Sequence, residues 1–229
     1  MFMRLLTSAI FAGALAGFVG GVLQLFFVQP VLLLAELYES GQLVHFGAEP
    51  VATSIAFAGF DMARDLWSLA FSILIYCGYG LMLVVLIGVA SERSLIPSHP
   101  GFRHGIIWGV AGFIALQLAP SFGLAPEVPG VASADLESRQ IWWFATILAT
   151  SLACWIFAFA QSRLVLGVGV VLLLAPHVIG APEVDHLRGP VPPEVASHFA
   201  SRMLGVGLVA WVVLGGTASY FFSRFSPPE

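Results

Sequence analysis

Two glutamates and one histidine, set in repeated surroundings, are the residues of this sequence best placed to do chemistry. Glu127 belongs to LAPSFGLAPEV (Leu118 to Val128) and Glu183 to LAPHVIGAPEV (Leu174 to Val184), copies that agree at seven of eleven positions. Each copy closes an apolar run with two prolines six residues apart and places a carboxylate directly after the second. His177 follows the first proline of the second copy. Carboxylates alone suit hard ions such as magnesium and calcium. Imidazole beside carboxylate shifts the preference towards cobalt, nickel, zinc or iron, and an octahedral ion such as cobalt(II) can take several of its N or O donors from water. The predicted metal ligands are Glu127, His177 and Glu183 as a gate, Gln117 and Gln140 as neutral oxygens near it, and Glu36 and His45 as an outer antechamber.

The prolines say what must hold these groups. Proline lacks an N–H and its ring clashes with the preceding turn, so each motif reads as a break at or near the end of an apolar helix. In a membrane, broken backbone is tolerated only where protein or a water-filled cavity covers it, and such breaks often line ion or substrate sites. The plainer alternative is a repeated helix stop whose Glu faces water, with His177 bonding a carbonyl that the proline frees.

The composition requires a membrane. Hydrophobic residues make up 59% of the 229 positions and charged residues only 10%, against roughly a quarter charged in soluble domains. The basic residues are nine arginines and no lysine, with no basic patch to suit nucleic acid. Cys77 and Cys154 both lie in apolar runs, which suits packing rather than a disulfide or a CxxC metal site.

About 20 apolar residues cross a bilayer, and by that measure the chain reads as an all-α, polytopic membrane helix bundle of about six spans. It forms a single integral-membrane domain over residues 1–229. The first span begins near Arg4 and stays apolar to about Ala35, too long for a signal peptide cut after Ala14-Leu15-Ala16. Gly13, Gly17 and Gly21 make a doubled GxxxG ridge along it, with Ala9 and Ala12 beside them, a pattern that lets helix backbones approach closely in lipid. A polar-leaning connection from Glu36 to about Ala63 follows, then spans at Leu66 to Ala90 and Gly105 to Leu118. Ser133 and Asp135 read as helix-start residues, and Trp142 and Trp143 as an interfacial aromatic belt. The fourth span ends near Ala160, a tight turn runs from Ala160 to Arg163, Leu164 to Ala175 forms a short fifth span, and Met203 to Phe222 the sixth. Were the fifth span re-entrant, the count would be five.

With the N-terminus cytoplasmic, five arginines (Arg4, Arg93, Arg103, Arg163, Arg224) lie inside and four outside, weak support from the positive-inside rule. The acids divide more sharply: only Glu92 and Glu229 fall inside, leaving eleven of thirteen outside with Glu127 and Glu183. His45, His177, His186 and His198 fall on that face too. A surface of one sign gathers the opposite ion, so the outer face reads as a collector of cations.

Whole phrases carry a family resemblance. QLAPSFGLAPEVPG (Gln117 to Gly130), RQIWWFATILAT (Arg139 to Thr150), APHVIGAP (Ala175 to Pro182) and the opening from Arg4 to Gln24 resemble the CbtA family of proposed cobalt transporter subunits, as does the loop bearing Glu36, Glu39 and His45. The resemblance covers essentially the whole chain. It implies a protein of the bacterial or archaeal cytoplasmic membrane with about five spans. It also implies a role in cobalt uptake, inferred from association with cobalamin synthesis, and a small single-span partner, CbtB, with a histidine-rich tail. It carries over no ligand residues. The chain has no histidine cluster of its own, which leaves room for a partner to supply part of a metal site.

The expected function is membrane uptake of a divalent transition metal, cobalt(II) or nickel(II), with no permanently bound cofactor. One alternative is an integral-membrane enzyme using Glu127 and Glu183 as an acid–base pair on a lipid head group. HExxH, GxSxG and P-loop patterns do not occur, so the chain reads as no enzyme, and ATP drive would need another subunit. The other alternative is a non-transporting scaffold for a partner.

Overall fold

The structure is a computed structural model that describes residues 2–44, 61–184 and 189–225. Their regular structure is entirely helical, as lipid demands of segments that must satisfy their own backbone. Helix α1 (Phe2–Leu23) passes through a π-helical turn (Gln24–Val28) into α2 (Gln29–Glu39). After α3 (Met62–Glu92), α4 (Phe102–Phe113) passes through a second π turn (Ile114–Leu118) into α5 (Ala119–Ser121). Helices α6 (Leu136–Phe159), α7 (Arg163–Ile179) and α8 (Pro193–Arg224) complete the order.

Among the described residues five segments are long and apolar enough to cross a membrane: Phe2–Glu39, Met62–Glu92, Phe102–Ser121, Leu136–Phe159 and Pro193–Arg224. The first therefore runs past the expected end at Ala35 as one segment of 38 residues. At 1.5 Å per residue it would be about 57 Å long, well beyond the hydrocarbon layer. The apolar α7 has only 17 residues, about 25 Å.

The chain packs as two compact units, the first comprising Met1–Leu23, Met62–Gln117 and Val206–Glu229. Its seams are made by glycine. Gly13 lies against Cys77, Gly17 against Ile73 and Gly21 against Leu69, so α1 and α3 run antiparallel along the ridge expected from the sequence. The Ser72 hydroxyl ties the seam by donating to the Gly17 carbonyl at 3.0 Å. A second seam joins α4 to α8, with Gly105 and Gly109 against Gly215 and Trp211, again antiparallel. The Ser219 and Ser223 hydroxyls both donate to the Pro100 carbonyl at 2.8 Å and fasten the loop before α4 to the end of α8. At the start of α3, Arg64 Nε meets the neighbouring Asp65 Oδ1 at 3.0 Å.

The second unit comprises Gln24–Asp61 and Leu118–Gly205. Within it α6 and α7 form an antiparallel hairpin: Trp142 meets Pro176 near one end, and Phe157 meets Gly169 near the other. The chain turns between Phe159 and Arg163 as the sequence predicts. Asp135 caps α6, accepting from the Ser138 backbone N–H at 3.0 Å. That bond and the Ser138 hydroxyl hold its carboxyl below the ordinary aspartate range. The cap is thus present above the ordinary value and is lost only as the pH falls through the lowered one.

Helix direction bears on the span count. Because α8 runs antiparallel to α4, the chain between them makes an even number of crossings. If α6 is one, α7 is the return. Cysteines placed at Ser133 and at Gln161, in a background without Cys77 and Cys154, should then react with impermeant reagents from opposite sides of the membrane. Labelling of both from one side would overturn the six-span topology.

Candidate functional site

The two proline motifs lie side by side in the second unit. A Cβ on Gly123 would stand 2.6 Å from the Ala181 Cβ and 2.6 Å from Trp142 Cη2, so the first motif can press against both the second motif and α6 only because residue 123 is glycine. Trp142 joins the two copies. It is 7% exposed, its indole N–H donates to the Pro176 carbonyl at 3.1 Å, and its ring meets His177 edge-on at 6.1 Å. Phe122, from the first motif, meets the other side of the contact, with its ring 5.8 Å from His177. The histidine is half-buried between two aromatic rings.

Neither helix stops at its first proline. Helix α7 continues through Pro176 to Ile179, and α5 continues past Pro120 to Ser121. Pro176 lies close enough to the end of α7 that it costs one backbone bond and no following turn. What ends α7 is Gly180, at φ +89 and ψ 148, backbone that is essentially reserved for glycine. In the first motif the preceding π turn shifts the hydrogen-bond register, and Pro120 sits in the first turn of the short helix after it, where a missing N–H is tolerated.

Glu127 is exposed, and its Oε2 takes a hydrogen bond from Arg139 Nη2 at 2.8 Å. The Arg139 guanidinium therefore meets a Glu127 charge that the sequence left open for a metal. Arg139 Nε is buried without a hydrogen-bond partner. Glu183 is exposed beyond the end of α7, and Gln140 is exposed in the second turn of α6. Glu36 is exposed on α2. Gln117 belongs to the first unit, in the π turn after α4, where its side chain packs on Gly207. His45 lies outside the described residues, as do His186 and Arg188. Among the described residues no three His, Cys, Asp or Glu side chains are grouped so as to hold a metal. The structure thus brings His177 and the two motif backbones together without closing a cage around an ion.

The family model described as probable cobalt transporter subunit (CbtA) matches residues 2–223. The chain belongs to the CbtA family. No curated protein and no solved structure matches it. Membership makes it a subunit of a membrane transport system, in keeping with its membrane-length apolar helices.

For a CbtA chain the two motifs carry two sorts of group: an imidazole screened by rings, and carboxylates open to water. Sequence reasoning missed two residues that shape it. Trp142, expected at the lipid interface, is buried in the protein because its N–H has the Pro176 carbonyl to bind. Arg139 was counted only as an outer charge. The signal for both was their place in RQIWWFATILAT, ten residues after the first motif, where a helix start can fold back onto the preceding loop.

Proposed function

We propose that the chain is the membrane subunit through which a divalent transition metal enters the cell, with cobalt(II) for cobalamin synthesis as cargo and nickel(II) as its nearest competitor. Its N-terminus is cytoplasmic and its motif face is external. The cargo rests on the family description over residues 2–223. The observation that carries the site is the seating of one proline motif on the other at Gly123 and Ala181, with His177 held between Phe122 and Trp142. Glu127 and Glu183 receive the ion, His177 selects it, Gln140 offers a neutral oxygen, and Glu36 and His45 gather ions outside. A small single-span partner with a histidine-rich tail delivers metal to this face.

An open arrangement suits passage, since an ion that is to leave again must be bound weakly and at several points. It keeps most of its water and meets one or two side chains at a time. The Arg139–Glu127 pair is no obstacle: exposed ion pairs contribute about 0–1 kcal/mol, which a divalent ion outcompetes.

The test is radiolabelled cobalt uptake by cells carrying the chain alone, with its partner, and without either. Glu183→Gln should leave the yield of folded protein intact and lower uptake about tenfold, the scale of one lost contact to a charged group. His177→Ala should change the ratio of cobalt to nickel taken up. Uptake that is unchanged in the double substitution would sink the proposed site.

A further inference from the structure

Below His177, helix α6 carries a lane of polar groups that the gate does not use. Trp142, Thr146, Thr150 and Ala153 are the buried residues of this helix. Their spacing of four, four and three places them on one stripe, and Trp142 points that stripe at α7 through its bond to Pro176. Both threonines are fully buried, at 0% exposure. They differ in one respect. The Thr146 hydroxyl donates to the Trp142 carbonyl at 2.8 Å, the usual way a threonine satisfies itself inside a helix. The Thr150 Oγ1 is buried with no hydrogen-bond partner.

An unsatisfied hydroxyl is costly in a membrane span. Thr150 lies 14 residues past Leu136 and 9 before Phe159, roughly 21 Å and 14 Å from the helix ends. Buried polar atoms in such places normally have a protein, water or ion partner, and polar groups deep in membrane helices mark ion paths. A hydroxyl oxygen is a neutral hard donor with lone pairs to offer an ion or its water.

Resting on the function proposed above, we propose that Thr150 is a second, deeper station for the partly hydrated divalent cation after His177. The lane runs from the imidazole down the α7-facing stripe of α6. Thr150 Oγ1 takes the place of one lost water, and the self-satisfied Thr146 contributes shape rather than a ligand.

Thr150→Val removes the hydroxyl and keeps the volume. For a purely structural threonine with an unpaired hydroxyl, the change is neutral or stabilising and leaves uptake alone. If Thr150 is a station, the variant should keep the folded yield and melting temperature of the parent and lose about tenfold in cobalt uptake, one charge-assisted contact. Thr150→Ser should restore uptake, and Thr146→Val should leave it near the parental level. Full uptake in Thr150→Val overturns this inference and leaves the proposed function standing. Absence of metal uptake in the parent chain with its partner overturns both.

Discussion

Gly17→Leu should abolish most of the folded protein, and Gly13→Leu should do the same. At Gly17 the atoms that a Cβ would meet are Ile73 Cα, the Ser72 carbonyl oxygen at 2.8 Å and the Ile73 nitrogen at 2.9 Å. At Gly13 they are backbone atoms of Tyr76 and Cys77. Backbone cannot swing aside as a side chain can, so the helices must separate over several turns. In lipid no hydrophobic force draws them back; close packing and small-residue contacts hold them. Losing that packing costs about 1–2 kcal/mol, and forcing volume into a packed seam adds about 1–3 kcal/mol. Against typical stabilities of about 5–15 kcal/mol, that is enough to deplete the native state. The Ser72 bond to the Gly17 carbonyl is lost as well. Gly21 provides the control. Its nearest atom is Leu69 Cδ1 at 2.6 Å, the movable end of a side chain, so Gly21→Ala should be tolerated. Monodisperse yield after detergent extraction, with a melting curve, measures all three. Normal yield of Gly17→Leu with selective loss of transport would place the ridge in the transport path instead of the scaffold.

That seam was legible in the sequence because both its causes are local: small residues four apart, and an apolar run long enough to span. The same holds for the Asp135 cap and the turn after Phe159. Other features depend on partners distant in sequence. Gly105 and Gly109 show small residues on α4, but only the fold reveals that Gly215 and Trp211 complete their seam. The π turns have no spacing of their own: Gln24–Val28 and Ile114–Leu118 read as ordinary apolar helix. Prolines suggested helix ends, yet the positive φ of Gly180, a residue unremarkable in the sequence, is what ends α7. Charge counting put Arg139 on the same outer face as Glu127, but it could not pair them, because the guanidinium arrives from the far side of a loop. Of the expected ligands, the repeat identified the elements that meet. It could not say which side chains on them would face one another.

Trp142→Ala should produce the largest loss in the second unit. Replacing a buried Trp with Ala typically costs about 3–5 kcal/mol through lost contacts and the cavity left behind. In lipid the lower end applies, because the term lost is packing rather than transfer from water. The cavity would open where Gly123, Pro176 and His177 now meet the ring, so both motifs should loosen together. Trp142→Phe separates packing from hydrogen bonding. It keeps most of the ring and removes only the N–H donor. The Pro176 carbonyl would still accept from the Gly180 backbone N–H at 3.1 Å, so the loss should stay near 1 kcal/mol, the net worth of one neutral hydrogen bond. Two measurements distinguish the variants: the melting temperature in detergent and protease cutting near Gly180. Trp142→Ala should melt several degrees lower and be cut faster, whereas Trp142→Phe should stay close to the parent in both. Cobalt uptake should follow the same order, because His177 keeps its orientation only while a ring stands beside it. If Trp142→Ala melted and transported like the parent, Trp142 would not be what holds the two motifs together, and the common site built on their contact would lose its support.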